Sequence, residues 1–220
     1  MVLDGVDLSV SAGEVVALLG ANGAGKTTLL KILATLMKPT RGRATVAGAD
    51  CVRDPESVRR AVGVLAHGAY VYEDLTALEN LSFWSEFSGR PAGAETLHGA
   101  LADVDLAAFA DERVRSFSAG MRRRLGLARL MLSAPRVLLL DEPFAGLDAR
   151  ARKWLEDRLA AFKERGGAVL MATHSFARDL GTVDRLAILA AGRIALDVPR
   201  GRIDADELRR LYALHTEDAL

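Results

Sequence analysis

GANGAGKT, residues 20–27, decides how the rest of this chain is read. It fits the pattern G-x-x-x-x-G-K-[ST]; the apolar run EVVALLG (14–20) leads into it and a helical pattern (26–36) leads out. Glycines at 20, 23 and 25 let the backbone turn tightly. The amides of Gly20, Ala21, Asn22, Gly23, Ala24 and Gly25 can then point at phosphate oxygens. A helix opening at Lys26, Thr27 and Thr28 adds the positive end of its dipole to that cradle. Lys26 is assigned to the β- and γ-phosphates of a nucleoside triphosphate, and the Thr27 hydroxyl to Mg²⁺. A glycine-rich turn that matched by chance would lack the strand before it and the helix after it.

VLLLDEP (137–143) supplies a second half to that site. An apolar strand ending at Asp141 sets a carboxylate beside the phosphate loop, where it can hold Mg²⁺ through water. Glu142 comes directly after, so it points away from Asp141 and can polarise an attacking water. Strands often end in acids, but two adjacent acids after Val-Leu-Leu-Leu in a chain with a phosphate loop carry more than that.

Strand-like runs recur at 136–142, at 167–174 and, around an Ala191-Gly192 turn signal, at 186–196. Helical patterns at 26–36, 149–165 and 204–215 lie between and after them. Strands alternating with helices predict an α/β fold, a P-loop nucleoside triphosphatase core with a mostly parallel sheet and some antiparallel strands. The interval from about 76 to 132 has helical patterns and no convincing strand. It is read as a helical subdomain inserted into one domain whose core is about 1–75 and 133–220. RPAGAE (90–95) reads as a loop within it.

Composition narrows the function classes. Twenty-nine basic residues balance 29 acidic ones, so no net field draws the chain to nucleic acid. The lone Cys51 excludes an internal disulfide and suits a reducing compartment. No apolar run reaches the ~20 residues that span a bilayer, and a signal-peptide pattern is absent, which together predict a soluble cytoplasmic protein.

In their order along essentially the whole chain, these motifs resemble those of the ATP-binding cassette ATPases of ABC transporters. GANGAGKT resembles that family's Walker A motif and VLLLDE its Walker B. AGLD (145–148) resembles the D-loop, and His174 in ATHS the switch histidine. SFSAGMRRR (116–124) resembles the signature usually written LSGGQ, here FSAGM with Ser118 and Gly120 kept. The resemblance implies ATP and Mg²⁺ as ligands and a head-to-tail homodimer in which each signature faces the other copy's Walker A. Ser118 and the Gly120 amide would then bind the γ-phosphate held by Lys26 of the other copy. Ser118 also reads as a plain N-cap for a helix over 119–132, and both roles are compatible. His174 is implied to contact the γ-phosphate and help orient the water.

Two departures stand out. The family has Gln at the end of the strand VGVLA, near Mg²⁺; this chain has His67, an imidazole that can still bind metal or water. Members also carry an aromatic residue that stacks on adenine upstream of the equivalent of LDGVDLSV. No aromatic precedes Leu3 in the sequence as given, so the base is expected to rest on other groups or on residues encoded upstream. His67, YEDLTALENLSFW (72–84) and DEPFAGLD (141–148) are similar to the heme-exporter ATPases of cytochrome c biogenesis. The resemblance implies an ATP-hydrolysing subunit that powers export, possible cargoes being heme, a drug, a lipid or another small molecule. It would sit on the cytoplasmic face of the membrane against integral permease subunits. A soluble, non-transport member of the family is the alternative, and it would be told apart by the lack of a membrane partner.

Overall fold

The computed structural model describes residues 2–66, 71–174 and 181–217. Six strands make the main sheet: β1 (Val15–Leu19), β4 (Val62–Leu65), β5 (Val137–Asp141), β6 (Ala168–Thr173), β7 (Arg185–Ala190) and β8 (Arg193–Pro199). Their order is β4-β5-β6-β1-β7-β8. All neighbours are parallel except β7 and β8, which form an antiparallel hairpin. The hairpin turn places Ala191 and Gly192 at φ 47 and 77, the double left-handed turn that suits the twist of paired strands.

Every residue of β1 is fully buried, because the sheet is covered on both faces and an alternating pattern would place polar groups in a core. Val15, Ala17 and Leu19 face one cluster with α6 (Ala149–Glu164) and α7 (Ala205–Glu217). Val16 and Leu18 face the other, with Leu29 and Leu30 of α1 (Lys26–Leu33). The helix after the phosphate loop is shorter than its apolar pattern suggested. It stops at Leu33, and Thr35 takes φ 61 to turn the chain away. A small hairpin, β2 (Thr45–Val46) with β3 (Ala49–Asp50), and α2 (Pro55–Ala61) fill the stretch before β4.

The interval without strands holds α3 (Ala77–Phe87), α4 (Ala94–Asp103) and α5 (Ala119–Leu132). They pack around Leu81, Leu101, Leu106 and Leu125, a cluster apart from the two sheet faces. A full capping box, Thr76 with Glu79, starts α3, and Ser118 caps α5 by accepting from the Met121 amide at 3.2 Å.

α5 is buried on two sides. Leu127 and Leu130 enter the sheet-side core, whereas Leu125 and Ala128 enter the cluster with α3 and α4.

Candidate functional site

Strands β5, β6 and β1 are neighbours, and register sets their carboxyl ends side by side: Leu19 beside Thr173, and Asp141 beside Ala172. In parallel α/β sheets ligands bind outside those ends. The phosphate loop leaves β1 there, and Asp141, Glu142 and His174 leave β5 and β6 at the same edge.

The loop needs its glycines. Gly23 and Gly25 have φ 85 and 108, and a Cβ on Gly25 would meet the Leu3 side chain at 2.6 Å. Lys26 opens α1 with only 8% of its surface exposed. Its Nζ donates to the Gly20 carbonyl at 2.6 Å and to that of Ala21 at 3.1 Å. Burial lowers the Lys26 pKa, while the nearby carboxylates of Glu142 and Asp141 work in the opposite direction. The ammonium is thus held within the loop, bonded to carbonyls that an incoming phosphate can replace.

Thr27 follows on the same turn, and its Oγ1 donates to Asp141 Oδ2 at 2.7 Å. A hydroxyl and a carboxylate oxygen that close form half a shell of hard oxygen donors, which suits Mg²⁺. Two protein donors are too few for a protein cage, and Mg²⁺ characteristically completes its octahedron with water and phosphate oxygens. The residues present therefore fit the metal.

Glu142 adopts φ 50, a left-handed backbone that few residues other than glycine take. Its amide still donates to the Ala172 carbonyl at 2.9 Å, one step past the end of β5. From this turn the carboxylate reaches across to β6. Glu142 Oε1 lies 2.7 Å from His174 Nδ1, and Oε2 accepts from Thr173 Oγ1 at 3.3 Å. A carboxylate so oriented can take a proton from a water held at its open side.

Ser118 and Gly120 lie at the start of α5 rather than in the phosphate loop. The Ser118 hydroxyl is engaged with its own helix, and a Cβ on Gly120 would come 3.3 Å from the Gly146 carbonyl. The N-terminus of α5 and the AGLD turn are therefore in close contact. His67 lies outside the described residues.

Sequence reading passed over three interactions. Val2 and Leu3 cover Gly25. Thr173 adds a second donor to Glu142. Arg123 gives its guanidinium to the carbonyls of Asp141 (3.1 Å), Pro143 (3.1 Å) and Glu142. Helical spacing was the available signal for Arg123. At about 100° per residue, three consecutive arginines must point three ways. Arg122 turns to Glu73 and the Phe117 carbonyl, Arg124 to the Val104 carbonyl, and Arg123 to the end of β5.

Comparison with known proteins identifies the family. The family profile described as ABC transporter matches residues 3–145. The daunorubicin/doxorubicin resistance ATP-binding protein DrrA of Streptomyces peucetius is 36% identical over 223 residues, covering 99% of this chain and 66% of its own. DrrA2 of Streptomyces coeruleorubidus is 42% identical over 90% of this chain and 63% of its own length. The chain thus spans a little under two thirds of these relatives. The cytochrome c biogenesis ATP-binding export protein CcmA of Pseudomonas savastanoi pv. phaseolicola is 40% identical over 79% of this chain and 81% of its own. Among solved structures, an ATP-binding subunit of an ABC transporter superposes with a TM-score of 0.84 at 32% identity, covering 99% of this chain and 90% of that one. A bacterial ABC transporter cassette solved as a dimer gives 0.80 at 28% identity, over 90% of each chain. The chain belongs to the ABC transporter family and has the fold of its ATP-binding subunits.

Proposed function

We propose that this chain is the ATP-hydrolysing subunit of an ABC exporter. The observation that carries the reading is the meeting, at one sheet edge, of a buried loop lysine, the Thr27–Asp141 pair and the Glu142–His174 pair. In this reading the loop amides and Lys26 bind the phosphates. Thr27 and Asp141 would hold Mg²⁺, which supplies neutralising charge at the β- and γ-phosphates. Glu142 accepts the proton of the attacking water, and His174 orients Glu142 and contacts the γ-phosphate. Ser118 and the Gly120 amide act on the ATP of a second copy, which the dimeric cassette among the solved relatives supports. Residues 76–132 are proposed to move as a helical subdomain against a core of 1–75 and 133–220.

The permease partner is proposed to meet α3. Tyr72, Phe83 and Phe87 are 47%, 39% and 74% exposed and form a continuous aromatic row with Trp84. Among the described residues no helix is long and apolar enough to cross a membrane, so cargo passage would rest with that partner at the cytoplasmic face. Relatives named for drug resistance match more of the chain than those named for cytochrome c biogenesis, and so a small amphipathic drug-like cargo is the first reading. Heme is the second, favoured by the 81% of the CcmA protein that the match covers.

The test is ATP turnover by the purified chain, with Lys26→Ala as its control. Release of phosphate by the native chain and none by the variant is the expected result. Equal rates from both would reject the phosphate-loop assignment.

A further inference from the structure

We propose that Arg123 is a positioning residue for Glu142: its guanidinium locks the left-handed turn that aims this carboxylate at the water. The inference rests on Glu142 being the proton acceptor.

Three observations converge on it. Glu142 is a non-glycine residue at φ 50, and it stands directly before Pro143. Sterics at a residue before proline favour extended backbone, so nothing in the local sequence prefers this conformation. Such outliers persist where the surroundings over-determine them. Here the turn brings the carbonyls of Asp141, Glu142 and Pro143 together, and one side chain satisfies all three. A guanidinium suits that task because its donors are fixed in one plane, whereas an apolar side chain would leave several carbonyl dipoles opposed.

The far end of Glu142 is held independently. His174 and Thr173 contact the carboxylate, and β6 takes the amide. Arg123 thus braces the carbonyl side of the turn, whereas β6 and His174 hold the amide and the carboxylate, so loss of Arg123 should misdirect the carboxylate without touching the loop that binds phosphate. The guanidinium is also partly buried, which lowers its pKa, and Glu142 and Asp141 offset that cost only in part.

Its origin adds a consequence. Arg123 leaves α5 five residues after Ser118. The same rigid helix therefore carries the cap proposed to face a second copy's ATP and the clamp on this copy's own Glu142.

The experiment separates placement from bracing. Arg123→Met keeps the unbranched stem and removes every donor. Its kcat for ATP hydrolysis should fall by about a hundredfold, the scale of a misplaced reacting group. KM should stay within about twofold, because loss confined to kcat marks an interaction made only in the transition state. Arg123→Lys should recover part of kcat, and millimolar guanidinium should restore turnover to Arg123→Ala. Wild-type kcat in Arg123→Met, or a loss that appears in KM alone, would overturn the proposal. If Arg123→Met does not fold, Arg123→Lys and Arg123→Gln decide by the same split between kcat and KM. In a Glu142→Gln background, Arg123→Met should leave ATP affinity unchanged, and a tenfold weaker Kd would assign Arg123 to binding instead. Turnover by Glu142→Gln at the native rate would remove the proposed function itself. A stalled Glu142→Gln beside a fully active Arg123→Met would remove only this inference.

Discussion

Glu142 Oε1 and His174 Nδ1 lie 2.7 Å apart, although 32 residues separate them in sequence. The contact follows from the pairing of β5 with β6, where Asp141 stands beside Ala172. The two residues then leave adjacent strands in step. Neutral histidine can donate from Nδ1 to the carboxylate, which fixes the tautomer and turns Nε2 outward.

Removing the imidazole should free the carboxylate to rotate. His174→Ala is expected to retain ATP binding and to lose turnover by about a hundredfold, as misalignment of a reacting group does. Steady-state kinetics beside an equilibrium binding assay checks this. A parallel loss of affinity would mean that His174 serves mainly as a phosphate ligand.

Glu142→Gln keeps the shape of the site and removes its base. With ATP it should accumulate as a stable dimer, visible by light scattering. Adding Ser118→Arg sets a bulky cation at the start of α5 and should return the protein to monomer. A dimer that persists in the double variant would refute the head-to-tail arrangement.

Lys26 carries a pH signature. Burial lowers its pKa in the folded chain, whereas the unfolded chain keeps the ordinary lysine value of ~10.4. Below the lowered value both states are charged, and the full cost of burying the ammonium is present. Between the two values the unfolded chain binds more protons, so stability attributable to this residue rises with pH. Urea midpoints of the native chain relative to Lys26→Met should therefore improve on moving up through that alkaline window. A difference independent of pH would show that the ammonium is not desolvated.

Gly63 tests the packing of β4. A Cβ there would lie 2.5 Å from Leu130 Cδ1, 2.9 Å from Pro135 Cγ and 3.1 Å from Leu138 Cδ2. Gly63→Ala should cost about 1–3 kcal/mol, the usual penalty for overfilling a core. The check is a thermal melt. An unchanged midpoint would mean that α5 yields easily toward its other side.

The parts of this fold that could be read in advance are those whose cause is local. β1, β5 and β6 announce themselves as unbroken apolar runs because each is buried on both faces. α5 begins where Ser118 can cap it, and the hairpin turns where Gly192 can take a positive φ. The β2–β3 hairpin was not legible, since strands of two residues contain no period to detect. α2 had a readable start, the Asp54 cap with Pro55 in its first turn, but too few residues after it to make a pattern. In the site, Lys26, Thr27, Asp141 and Glu142 were visible because their neighbours in sequence are also their neighbours in space. Arg123 was not, because its partners are backbone carbonyls that only the folded β5 end presents.

The double burial of α5 limits how this molecule can change shape. Its Leu127–Leu130 side is wedged into the sheet-side core and its Leu125–Ala128 side into the α3–α4 cluster. Close-packed interiors resist sideways shifts, because leaning toward one cluster opens a void in the other. Gripped from both sides like an axle, α5 would pass a push on its Ser118 end to α3 and α4 as well as to the sheet. The aromatic row on α3 would then be displaced with it, a mechanical link between the nucleotide edge and an exposed surface.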